Sequence, residues 1–201
     1  MTIKQFLTTA FGTLSLLCSA QAVTIDLEAF GAALNGWRKD RTASYTIHKH
    51  SYLTYRPTMT PNSAGGVFLS TRVDHKRPLG KKMTSYIELN YGEDGTLLTV
   101  QIKVMAGALR LNTGAISRPA LAPATGEGGT PATDPEPWLD PTTRMVNDLF
   151  TALDAEFAKL SKRDQDEKKD VFSRVFGQSH QTADLSAALR HNLNLLIGHT
   201  H

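Results

Sequence analysis

Two pairs among the seven histidines have the spacing of metal ligands: His48 with His50, and His199 with His201. On a strand, positions i and i+2 face the same way, so imidazoles at 48 and 50 can approach one ion. The sequence names no third ligand. The preferred reading of the same residues is the wet face of a half-buried strand, opposite Tyr45, Ile47 and Leu53. His199 and His201 end the chain, where fraying weakens chelation. Nucleophilic catalysis asks for a serine on a sharp strand-to-helix turn, and no Gly-x-Ser-x-Gly stretch occurs. Ser179, His180 and Asp184 are neighbours in sequence only, and Thr182 and Asp184 suit the start of a helix. Asp164, Asp166, Glu167 and Asp170 interleave with Lys168 and Lys169, the habit of a solvated helix face. Gly126-Glu127-Gly128-Gly129 lies among prolines with no strand before it, which is not the setting of a phosphate loop. These residues assign no catalytic group and no cofactor, and His48 and His50 are the only metal candidates.

Charge offers a second kind of chemistry. His75-Lys76-Arg77-Pro78-Leu79-Gly80-Lys81-Lys82 concentrates basic side chains between two alternating apolar stretches, and so predicts a positive hairpin loop. Lys76, Arg77, Lys81 and Lys82 are the candidate anion-binding residues, with Arg72 and Lys103 on neighbouring strands placed to extend them. The competing reading is a solvated loop whose lysines keep a sheet edge from pairing.

The start of the chain says where such a site would work. Met1 to Gln5 carries Lys4 and no acid, and Phe6 to Leu17 is apolar, small or hydroxylic. Ala20 and Ala22 then occupy small-residue positions, the pattern of an export signal cleaved between Ala22 and Val23. An apolar core of about 12 residues falls short of the ~20 that span a bilayer, so no transmembrane segment is expected in the mature chain. Cys18 is the single cysteine, and Leu16 and Leu17 before it do not suit a lipoprotein signal. The expected periplasmic or secreted product therefore lacks cysteine, which excludes thiolate catalysis and zinc–thiolate sites and leaves stability to burial alone.

The elements that must position these residues follow from periodicity. A short helix is expected from about Ile25 to Leu34, with Phe30, Ala33, Leu34 and Trp37 at helical spacing. Period two follows at 44–55, in Val67, Leu69, Thr71 and Val73, in 86–91, and in 96–105, with Gly92-Glu93-Asp94-Gly95 as a tight turn. Ala108 to Leu111 is a further short strand after Gly107. Six of the nine prolines fall between Pro119 and Pro141, so 118–140 reads as an extended linker that protease should cut first. Asp140 as N-cap and Pro141 at the first helical position open a helix with the stripe Val146, Leu149, Phe150, Leu153, Phe157 and Leu160. Two more are expected, from Asp164 to Phe176 and from Ala183 to Ile197, the last capped by Thr182.

The expected fold is therefore α+β: an antiparallel meander of four or five strands, preceded by a short helix and followed by three helices. Residues 1–22 form the signal, 23–117 the short helix and sheet, 118–140 the linker, and 141–201 a helical segment packed on the sheet as one domain. Residues 23–117 carry 12 Lys/Arg against 7 Asp/Glu, whereas 118–201 carries 9 against 12. Such halves attract each other, or leave the basic one to meet an anionic partner. The functional expectation is an exported, non-catalytic binding domain whose partner is an anionic envelope component or another exported protein, with nucleic acid not expected. The alternatives are a hydrolase or metal enzyme built from scattered residues, and a carrier of an apolar ligand between the sheet and Leu149, Phe150, Leu153 and Phe157.

Overall fold

Alternation of apolar and polar residues builds the centre of an antiparallel sheet. In the computed structural model, which describes residues 43–47, 50–76, 83–119, 140–176 and 179–198, the strands are β1 (Ala43–Ile47), β2 (His50–Thr54), β3 (Thr58–Pro61), β4 (Val67–Lys76), β5 (Met83–Tyr91), β6 (Leu97–Ala106), β7 (Leu109–Asn112) and β8 (Ile116–Ser117). Their order is β1-β2-β4-β5-β6-β7, with β3 pairing the other half of β4 and β8 pairing β6. Every pairing is antiparallel, as hairpin connections require. The helices are α1 (Pro141–Asp166), α2 (Val171–Phe176) and α3 (Ser179–Gly198), and the architecture is α+β.

The helices lie on one face of the sheet. Leu69, Val73, Met83, Ile87, Leu89, Val100, Ile102 and Val104 point inward and join Met145, Leu149, Leu153, Phe157, Phe176, Leu185, Leu189 and Leu193 in one core. The α1 stripe is buried as its spacing predicts, and each such side chain contributes roughly 1.5–3 kcal/mol on removal from water. Asp140 accepts from the backbone nitrogens of Thr142 and Thr143, and Pro141 follows at the first turn. Gly95 has φ +76°, as the Asp-Gly turn demands. Phe157 and Phe176 meet edge to face at 5.1 Å, which ties α2 to α1. Thr54 Oγ1 donates to Asn192 Oδ1 at 2.6 Å and joins β2 to α3.

Several expectations are corrected, beginning with the strand count, which is eight among the described residues rather than four or five. The stretch 44–55 is not one strand but the hairpin β1–β2, with Ile47 opposite His50. In β2 the inward face is also the other one: Tyr52 is fully buried and Leu53 only partly. His75 is not part of a loop. It lies inside β4, 2% exposed, stacked on Tyr52 with ring centroids 4.7 Å apart and planes 16° apart. The middle helix does not start at Asp164, because α1 runs through it to Asp166 and Lys168, at φ +50°, turns the chain before α2. Asp164 is buried and accepts from the backbone nitrogen of Phe172, so it holds the start of α2 rather than lying on a wet face. Thr182 falls within α3, which begins at Ser179. The short helix at 25–34, the signal and the linker residues 120–139 lie outside the described residues.

Candidate functional site

The face of the sheet turned away from the helices carries a cross-strand row of polar side chains. Tyr55 donates its backbone N–H to Arg72 O at 2.8 Å, Arg72 stands opposite Tyr86, Tyr86 opposite Lys103, and Lys103 opposite Asn112. Aromatic and cationic side chains thus alternate across the strands, ~4.8 Å from one to the next.

Ion pairs and hydrogen bonds hold this row in place. Arg72 Nε and Nη2 each donate to Asp74 at 2.8 Å, the two-pronged geometry that suits guanidinium and carboxylate. The same guanidinium lies 4.7 Å over the Tyr55 ring, whose hydroxyl donates to Asp74 at 3.0 Å. Thr84 Oγ1 donates to Asp74 at 2.8 Å. Hydrogen bonding to Asp74 raises the Arg72 pKa above its ordinary value. The Asp74 side chain is 4% exposed and that of Arg72 35%, so the carboxylate lies beneath its donors. Further along, Lys103 Nζ donates to both Glu88 oxygens, at 2.9 and 2.7 Å.

Arg72 and Lys103 therefore do not extend a free positive tip, because each is matched by a carboxylate. Of the predicted anion-binding residues, Lys76 closes β4 opposite Ser51, two positions beyond Asp74. Arg77, Lys81 and Lys82 lie outside the described residues. The strands they connect pair as far as His75 opposite Met83. His48 also lies outside, while His50 opens β2, so the single strand that was to carry both is absent. Among the described residues no group of three or more His, Cys, Asp or Glu side chains is placed to hold a metal.

Two surface clefts border α1 among the described residues. One, of about 430 Å³, separates the start of α1 from the end of α3 and is lined by Asp140, Thr143, Val146, Arg190, Asn194 and Ile197. Asp140 already occupies the donors of that helix start, so the cleft offers no free helix terminus to an anion. The other, of about 250 Å³, lies between β7 and α1. Sequence reasoning missed Ser85, whose buried hydroxyl has no hydrogen-bond partner among the described residues. It faces the helices between Val73 and Val104, walled from solvent. No family model, curated protein or solved structure matches the chain.

Proposed function

We propose that the chain is an exported, non-catalytic binding domain that contacts an anionic envelope component, its signal cleaved between Ala22 and Val23. The contact residues are Lys76, Arg77, Lys81 and Lys82, with the adjoining sheet face as their platform. The pairing of β4 with β5 carries this reading, since it brings both ends of the basic segment to one end of the sheet, beside the ordered Tyr55–Arg72–Tyr86–Lys103 row. In that division the row, matched by Asp74 and Glu88, supplies shape, and the basic segment supplies the charge. No observation favours the metal reading. The carrier reading needs Leu149, Phe150, Leu153 and Phe157 to line a cavity, and they are packed in the core.

Vesicles of phosphatidylglycerol and phosphatidylcholine test the proposal. Binding should weaken steeply with salt, because the screening length shrinks from ~10 Å at 0.1 M to ~3 Å at 1 M. It should fall further when Lys76, Arg77, Lys81 and Lys82 are all changed to Gln, with stability moving by no more than about 0.5 kcal/mol. A folded quadruple variant that binds as the parent does removes the segment from the site.

A further inference from the structure

Among the described residues, the sheet path ends on one side at β7. Beyond its last residue, Thr113 N donates to Ile102 O at 3.1 Å. Bonds in an antiparallel ladder alternate, so Leu111 and Leu109 turn their backbone groups toward β6, while Arg110 and Asn112 turn theirs off the sheet. This is a strand edge able to accept another strand.

Helix α1 lies alongside and makes the edge into a groove. Glu156, Lys159, Leu160 and Arg163 share one helical face at i, i+3, i+4 and i+7, and with Leu109, Arg110 and Leu111 they line the cleft of about 250 Å³. Leu111 and Leu160 are buried in its floor and Leu109 is half-buried. Arg110 is folded back at the mouth, its Nη1 donating to Leu109 O at 2.8 Å and to Gly107 O. Three cations thus stand against one carboxylate, and Glu156 is already engaged by Lys159 at 2.6 Å. The volume is under the ~300–1,000 Å³ of small-molecule sites, so the cleft suits one side chain of something longer.

We propose that β7 and α1 form a docking groove for an extended acidic peptide segment of a partner protein. The segment pairs with the outward backbone groups of Arg110 and Asn112, sets an apolar side chain over Leu109 and Leu160, and brings its carboxylates to Arg110, Lys159 and Arg163. Charge selects this occupant. A second copy adding its own β7 would bring its cations against the same cations.

The test is fluorescence anisotropy on the full chain with a labelled hexapeptide of alternating Glu and Val. Two matched controls accompany it, one N-methylated at alternate backbone nitrogens and one with Lys in place of Glu. The parent peptide should bind, shift the amide resonances of 109–112, and outbind both controls. The Lys159→Gln/Arg163→Gln double variant, altered only on the exposed side of α1, should bind it roughly tenfold more weakly. Equal binding of the N-methylated peptide would mean attraction by charge alone and would overturn strand addition. So would self-association through β7 that the peptide does not compete with, or the lack of any binding into the millimolar range.

Discussion

Asp140 accepts the backbone hydrogens of Thr142 and Thr143 and so fixes where α1 begins. Burial works against its charge, but hydrogen bonds from the Thr143 side chain and from the two backbone nitrogens outweigh burial and hold its carboxyl below the ordinary 3.8. Because the folded value is the lower one, the unfolded chain takes up the proton first as pH falls. The stabilisation is therefore whole above the unfolded value and is lost as pH drops through the folded one. Asp140→Ala should cost about 1 kcal/mol at neutral pH, and the gap from the parent should close towards pH ~2. Urea unfolding at both pH values checks this, and a gap that persists in acid would deny the cap its charge. The cap was legible because Asp-Pro before an apolar stripe has few other meanings. The carboxylates of Asp74 and Asp164 were not, since their partners Tyr55 and Phe172 lie 19 and 8 residues away across turns that no motif announces.

Among the elements, β4 to β7 were readable from alternation because each is flanked by glycine, proline or charge. The hairpin β1–β2 was not, because two strands of five residues alternate just as one of twelve does. Residues 48 and 49 also lack the Gly, Asn or Asp that usually marks a two-residue turn. The break after α1 was hidden for a similar reason: Lys168 adopts φ +50° without being glycine. The loop before β4 shows how closely neighbouring turns pack. Asn62 accepts from the nitrogens of Ala64 and Gly66 and donates to Asn90 and to Tyr91 O. A Cβ at Gly66 would stand 2.1 Å from Tyr91 O and 2.4 Å from the Gly92 carbonyl carbon. Gly66→Ala should therefore destabilise the protein by about 1–3 kcal/mol. Thermal unfolding measures it, and a change of only a few tenths would mean that this loop is not held against the β5–β6 turn.

Among the described residues, apolar burial joins the two halves of the chain. Arg72–Asp74, Lys103–Glu88, Lys159–Glu156 and Lys169–Glu167 each stay within one half. The inward sheet residues and the helix stripes form one cluster. Among the described residues no helix is long and apolar enough to cross a membrane. Under the proposed export, intact mass should show a product that starts at Val23 and carries no lipid. A product that retains Cys18 with added acyl mass would replace a released protein by an anchored one.

The bond from Thr54 to Asn192 spans 138 positions of the chain. Its consequence is one of timing. A chain delivered from its N-terminus completes the sheet pairings of β2, β4, β5 and β6 from near neighbours, but the bond that ties β2 to the helices must wait for α3. Until then Thr54 lacks its partner Asn192, and the unfinished chain shows water the inward sheet residues that the helices hide.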